Sequence, residues 1–290
     1  AISWPHVAVD PQLYHRRFMH CGNAAMQRLA ACKVIPPSAG RHDFSKCHAC
    51  LQGGGRKLQF GHTPRRAAPD QSYRKLQKFT YFGERIASDL CGPFPSGHDG
   101  SQYAIVFHDS ATKYVVVYTI PDKSRDTVLQ AFQRFLSDHQ DRLPYGVKEY
   151  WTDNGGEFRN ADMEQFCTEI CIKRNFTIPY ASSQNPYAER TWGDLLRKVR
   201  TTLAEANGRG HNFDRFWPEI IQHASLIHNI LPDDNCKTPH EKVHGAAYDY
   251  TRLHSPLCLC YYLVPSRDRA SKLSPRSVPA IYLGPDPERY

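Results

Sequence analysis

The chain is 290 residues long, 40% hydrophobic and 12% aromatic, with a formal net charge of +8. That composition fits an ordinary folded protein of two or three domains, or one large domain with appendages. No apolar run approaches the ~20 residues that a bilayer crossing needs, no signal peptide opens the chain, and a start at Ala1 rather than Met points to release from a longer precursor.

In chain order, residues 1–54 are rich in His and Cys and hold one predicted helix, 24–31, with Asn23 as its N-cap. Residues 55–78 carry seven Lys or Arg against one Asp, interleaved with Phe60, His62, Tyr73 and Leu76. The Pro and Gly there predict a semi-extended basic linker, either a solvated tether or a nucleic-acid contact. "ERIASDL" is a predicted strand ending at Asp89. "QYAIVFHDS" and "KYVVVYTI" are two more, joined by a polar turn at Ala111 and Thr112. A helix over 123–139 puts Val128, Phe132, Phe135 and Leu136 on one face. "VKEYWTD" is a strand ending at Asp153, followed by a helix over 161–170 that buries Met163, Phe166, Cys167 and Ile170, and then by a strand in "IKRNFTIPY". A long helix over 186–206 starts with Pro186 after Asn185 as cap and buries Leu195, Leu196, Val199 and Leu203. Another, over 214–230, buries Phe216, Ile220, Ala224 and Ile227. The runs "LCLCYYLVP" and "VPAIYLGP", joined by a loop with Arg267, Arg269, Lys272 and Arg276, predict a small β-barrel. This order predicts a mixed α/β domain with a hairpin and a parallel part.

Two constellations carry chemistry. His15-x4-His20, then 26 residues, then Cys47-x2-Cys50 offer two imidazoles and two thiolates, the ligand set of a closed tetrahedral structural zinc site. Cys21, Cys32, His42 and His48 compete for the same metal. Of the ten cysteines, only Cys47 and Cys50 form a C-x-x-C pair. The pairs Cys167 with Cys171 and Cys258 with Cys260 read as buried reduced thiols in a reducing compartment. The second constellation is carboxylate. Asp89 and Asp153 each end a predicted strand. If those strands are neighbours, both acids enter one crevice. Glu189 lies in the first turn of the long helix, with 35 residues between it and Asp153. Three hard oxygen ligands suit Mg²⁺ or Mn²⁺ and displacement at phosphorus. Asn154-Gly155, after Asp153, reads as a turn.

The chain resembles the integrases of copia-type retrotransposons, relatives of retroviral integrases. "YHRRFMH" with "CHAC", "SDLCGPFP", "YAIVFHDSATKYVVVY", "TDNGGEF", "QNPYAER", "FWPEIIQHASLIHNILP" and "SKLSPRSVPAIYLG" follow the family's blocks in order. The resemblance implies an RNase H-like core with a mixed sheet, preceded by a small helical zinc-binding domain and followed by a small β-barrel, whole or incomplete. The expected domains are 1–54, 55–78 as linker, 79–232 and 233–290. It implies Asp89, Asp153 and Glu189 as the catalytic, metal-holding acids, and His15, His20, Cys47 and Cys50 as zinc ligands. Asp109 and Glu157 match family positions outside the catalytic set. The implied reaction is trimming of element DNA ends by water, then joining of the new 3′ hydroxyl to target DNA. The implied partners are double-stranded DNA and further copies of the chain, with no membrane. The implied setting is the nucleus, after synthesis and assembly in the cytoplasm. Arg190 and Arg197, on the helix beside the acids, are expected DNA contacts, as are Gln184 and Asn185. Family members commonly have Pro-Gln before the Gln-Asn pair and Gly after it. This chain has Ser182-Ser183 before it and Pro186 after it, and proline stiffens the backbone where glycine would flex. The alternative is a catalytically decayed or domesticated zinc-containing DNA-binding protein; a metal nuclease of the same core that hydrolyses without joining is a third.

Overall fold

The computed structural model describes residues 10–54, 79–176, 186–208 and 210–285, the side chains of 186–189 excepted. The expected basic linker, Ser182, Ser183, Gln184 and Asn185 lie outside the described residues. The first described segment folds as four short helices, α1 (Pro11–Arg17), α2 (Asn23–Ala31), α3 (Pro37–Arg41) and α4 (His48–Gly54), where only α2 was expected. Asp10 caps α1, its carboxylate accepting from Gln12 N at 2.9 Å, and Pro11 takes the first turn, where its missing N–H costs nothing. Asn23 is not the cap of α2. Gly22 takes that place, and the Asn23 amide instead accepts from Phe44 N and donates to Asp43. It therefore ties α2 to the loop before α4.

Among the described residues seven strands and five α-helices follow in chain order: β1 (Arg85–Cys91), β2 (Tyr103–Asp109), β3 (Val115–Ile120), α5 (Arg125–His139), β4 (Glu149–Thr152), α6 (Ala161–Glu169), β5 (Lys173–Phe176), α7 (Pro186–Asn207), α8 (Trp217–Ile230), α9 (Pro239–His244), β6 (Leu259–Leu263) and β7 (Ser277–Ile281). The first five strands form one mixed sheet in the order β3-β2-β1-β4-β5. β1 pairs antiparallel with β2 and parallel with β4, which pairs parallel with β5. Strand β1 runs past its expected end at Asp89, because Leu90 and Cys91 still pair with Ile105 and Ala104.

Helices cover both faces. On one, α5 and α6 pack on β1, β2 and β4. Phe132 stacks on Tyr150 at 4.0 Å and Phe135 on Phe107 at 4.8 Å. Truncating Phe132 to Ala there costs about 3–5 kcal/mol. On the other face, Trp192, Leu195 and Val199 of α7 and Ile220, Ile227 and Ile230 of α8 pack on Ala104, Val106, Val115 and Val117. Asn229 accepts from Val115 N at 2.8 Å and donates to Val115 O at 2.7 Å, which satisfies part of the edge of β3.

The N-terminal helices share this second core. Phe18, Met26, Leu29 and Ile35 join the α7–α8 cluster rather than forming one of their own. A disulfide joins Cys32 to Cys236, beside an Arg28–Asp234 ion pair at 3.6 Å. Cys167, Cys171, Cys258 and Cys260 are free thiols, but of these only Cys167 is buried and Cys171 is exposed, contrary to the expectation of buried thiols, and the disulfide departs from the expectation of a reducing setting. At the C-terminal end, β6 and β7 form a two-stranded antiparallel hairpin, a part of a barrel rather than a closed one among the described residues. Its Leu259, Tyr261, Tyr262 and Leu263 are exposed. No described helix is long and apolar enough to cross a membrane.

Candidate active site and metal centre

His15 sits near the end of α1 and His20 just past it. The chain turns between them through Met19 and His20, both non-glycine residues held at positive φ, 47° and 56°. That conformation costs about 1–2 kcal/mol per residue and persists only where packing imposes it. It brings the His20 ring within 4.8 Å of the His15 ring. Cys47 and Cys50 approach from the start of α4, so that one ligand atom from each of the four lies within 4.8 Å of every other. The separations are 3.2 Å from His15 Nε2 to Cys50 Sγ, 3.6 Å from His20 Nδ1 to Cys47 Sγ and 3.8 Å from His20 Nδ1 to Cys50 Sγ. Zinc bonded at ~2.05 Å to nitrogen and ~2.3 Å to sulfur in a tetrahedron sets N···S edges of ~3.5 Å. The four residues therefore fit zinc in both donor type and spacing.

The surroundings suit that ion. Burial pulls the His15 pKa down to about 3, with His20 adding to the effect, so its imidazole is neutral and its Nε2 lone pair is available. Burial, and then neighbouring Cys47, push the Cys50 thiol up to about 12 without metal, so binding must release protons. The rivals fall away. Cys32 is in the disulfide, Cys21 is buried in the apolar core with its thiol pushed up to about 12, and His42 is not among the residues whose ligand atoms converge. His48 lies outside the four-residue group.

The carboxylates are arranged by the sheet. β1 and β4 pair in the register Arg85↔Glu149, Ile86↔Tyr150, Ala87↔Trp151. Continued two residues past that pairing, the register would bring Asp89 level with Asp153, which directly follows the last residue of β4. Asp89 is half-buried and Asp153 is exposed just beyond β4. Asp89 Oδ1 accepts from Leu90 N, and Asp153 Oδ1 accepts from Gly155 N, each at 2.9 Å. The second bond makes the Asp153 side chain the organiser of the Asn154-Gly155 turn. Glu189 lies in the first turn of α7, one turn before Trp192, which packs on the sheet with Ala104 and Val106. Its side chain lies outside the described residues.

The other acids do different work. Asp109 is 1% exposed and accepts four hydrogen bonds, from Gly83 N, Ala111 N, Thr112 N and Thr112 Oγ1. It closes the β2–β3 hairpin onto the chain entering β1. Glu157 packs over Gly155 and so shapes the turn. Of the expected DNA contacts, Arg190 is exposed. Arg197 is occupied, donating to His20 O and to Asp194 Oδ1, both at 3.0 Å. Neither Asp194 nor Glu205 was singled out in the sequence. Asp194 pairs with Lys198, 1% exposed, in the interior of α7. Glu205 accepts from His20 Nε2 at 2.9 Å across 185 residues, a distance no sequence pattern reports.

Residues 83–182 match the family described as integrase core domain. The retrovirus-related Pol polyprotein from transposon TNT 1-94 of Nicotiana tabacum is 28% identical over 98% of this chain and 20% of that polyprotein. The corresponding polyprotein from transposon RE1 of Arabidopsis thaliana is 26% identical over 87% of this chain and 16% of its own length. The chain thus spans about a fifth of these relatives. Among solved structures, the HTLV-2 integrase catalytic core domain in complex with magnesium is 19% identical, with a TM-score of 0.44, covering 57% of this chain and 98% of that one.

Proposed function

With an integrase core domain of the retrotransposon kind as its premise, we propose that this chain performs metal-dependent 3′-end processing and strand transfer of element DNA into target DNA. The observation that supports the reading is the β1–β4 register, which, continued two residues past Ala87↔Trp151, would bring Asp89 level with Asp153, while Glu189 lies in the first turn of α7, the helix packed on that sheet. On this reading Asp89, Asp153 and Glu189 hold Mg²⁺ or Mn²⁺, for which an all-carboxylate donor set is suited. Bound there, the ion neutralises charge at the scissile phosphate and polarises the attacking oxygen. The protein's own part is to orient. The sheet fixes two acids, α7 brings the third, and exposed Arg190 beside it meets the DNA backbone. Gln184 and Asn185 reach the same DNA, while Arg197 serves the protein's interior first. The N-terminal four-residue group holds structural zinc. The chain divides as 1–54, 55–78, 79–232 and 233–290, acts as a homo-multimer on paired double-stranded DNA ends, and works in the nucleus.

The test is strand transfer by the purified full chain on short element-end duplexes with Mg²⁺ or Mn²⁺. Asp153→Asn abolishes joining on this reading; full activity in that variant would sink the assignment of the acids. Salt-sensitive DNA binding with neither cleavage nor joining by wild type would return the DNA-binding alternative, and hydrolysis without joining would return the nuclease.

A further inference from the structure

Of the two candidate zinc imidazoles, only His20 has a partner for its second nitrogen. His15 Nδ1 is buried with no hydrogen-bond partner among the described residues. His20 Nε2 lies 2.9 Å from Glu205 Oε2. A carboxylate there fixes the tautomer. The proton sits on Nε2, and the Nδ1 lone pair faces Cys47 and Cys50. Outer partners of this kind orient metal-bound histidines and raise their basicity. Glu205 does not belong to the N-terminal helices. It lies in the last turns of α7, the helix whose first turn carries Glu189.

Glu205 is one of several ties between the four-residue group and α7. Arg197 donates to the carbonyl of His20 at 3.0 Å, about two helical turns before Glu205. Arg200 donates to the carbonyl of Gly53 at 3.1 Å. Gly53 lies three residues after Cys50 on α4, and a Cβ placed on it would stand 2.5 Å from the backbone N and Cα of Thr201. Only glycine permits that helix-to-helix approach. His20 itself, and α4, which carries Cys50, are thus both fixed to the same helix, the first by Glu205 and Arg197 and the second through Gly53. A surface ion pair would be the plain alternative for Glu205, and it does make one, with Arg16 at 3.6 Å. The His20 contact is of another kind, because that ring is 3% exposed and its backbone is held at positive φ.

We propose that Glu205 is a positioning residue for the zinc centre, through which bound zinc clamps the C-terminal half of α7 and thereby fixes the helix that carries Glu189. The inference rests on the zinc reading of His15, His20, Cys47 and Cys50. The clamp acts through a rigid rod: sixteen residues of helix separate Glu205 from Glu189, ~24 Å. Because zinc binding and α7 docking share these contacts, each must strengthen the other by the same factor.

The full-length protein tests this with zinc itself as the probe, competed against a chromogenic chelator, and with hydrogen exchange along α7. Glu205→Gln keeps the size of the side chain and removes its charge. Its zinc dissociation constant rises ~10–100-fold. Arg16→Ala, which removes only the exposed pair, changes it less than ~2-fold. In wild type, zinc removal raises exchange of the amides of residues 197–207, a comparison that needs no variant to fold. Unchanged zinc affinity in Glu205→Gln, or unchanged α7 exchange on zinc removal, overturns the clamp. If wild type binds no zinc at all, the zinc reading itself fails, and the two failures are told apart by that control.

Discussion

Asp89 on β1 and Asp109 at the end of β2 lie on neighbouring strands, yet Asp109 is bound into the fold while Asp89 is proposed to hold metal, and Asp109→Asn separates those tasks. Asp109 Oδ1 accepts from Gly83 N at 3.0 Å, while Oδ2 accepts from Ala111 N, Thr112 N and Thr112 Oγ1 at 3.1, 2.6 and 2.7 Å. An Asn side chain has one acceptor oxygen. Turned to keep the three-bond side, it presents its NH₂ to Gly83 N and leaves that buried donor unpaired, about 1–3 kcal/mol. The three remaining bonds lose their charge assistance, about 0.5–1 kcal/mol each. Relief from burying a carboxylate offsets that loss, because burial outweighs the hydrogen bonds and raises the pKa of this carboxyl. The net loss is that of the orphaned Gly83 N–H, about 1–3 kcal/mol, a fall of roughly 2–12 °C in the thermal midpoint for a domain of this size. Asp109 pairs with Ile86, three residues and ~10 Å along β1 from Asp89. Folded Asp109→Asn therefore keeps metal-dependent joining per folded molecule, read by strand transfer below the midpoint, whereas Asp89→Asn loses joining at an unchanged midpoint. An Asp109→Asn protein of wild-type stability that cannot join DNA would refute the reasoning.

Two further expectations follow from the interior of α7 and from the zinc group. Burial opposes the charge on Asp194, but a hydrogen bond from His228 and the cations of Lys198 and Arg197 outweigh it and hold its carboxyl far below the usual range. A depressed folded-state pKa gives stability that is present above the unfolded value of ~3.9 and lost as pH falls through the folded one. Asp194→Asn leaves Lys198, 1% exposed, without its counter-charge and costs about 3 kcal/mol at pH 7, toward the low end because Asp194 is 35% exposed. The gap in thermal midpoint between the two proteins narrows as pH falls below ~4; a gap that widens on acidification would contradict the pairing. Metal analysis of the full chain gives about one zinc, and its binding releases protons into a weakly buffered solution as the thiols ionise. An N-terminal region that stays folded with no zinc would count against that site.

Periodic features were readable in advance, and features made by distant contacts were not. Every strand of the sheet and the helices α5 to α8 announced themselves by alternation or by apolar faces such as Val128, Phe132 and Phe135, because burial on one side leaves a period in the sequence. The short helices left none. α4 reads HACLQGG, poor helix composition, and its last turn is shaped by the approach of Gly53 to Thr201. Two signals were present and unread: Asp10-Pro11 before α1, and Thr238-Pro239 with Glu241 before α9, where Thr238 Oγ1 accepts from Glu241 N. At the candidate sites, ligand types and spacing singled out His15, His20, Cys47 and Cys50. The partners that make the zinc group part of the core, Glu205 and Arg197, sit on a helix far along the chain. The Cys32–Cys236 link was equally hidden, since sequence gives no distance between two lone cysteines.

Strand transfer by Glu189→Gln beside wild type, with Mg²⁺ or Mn²⁺ and pre-trimmed element-end duplexes, bears most directly on the central claim. The account predicts joined product with wild type and none with Glu189→Gln, while zinc content and thermal midpoint stay the same in both. Joining by Glu189→Gln at the wild-type rate would contradict it.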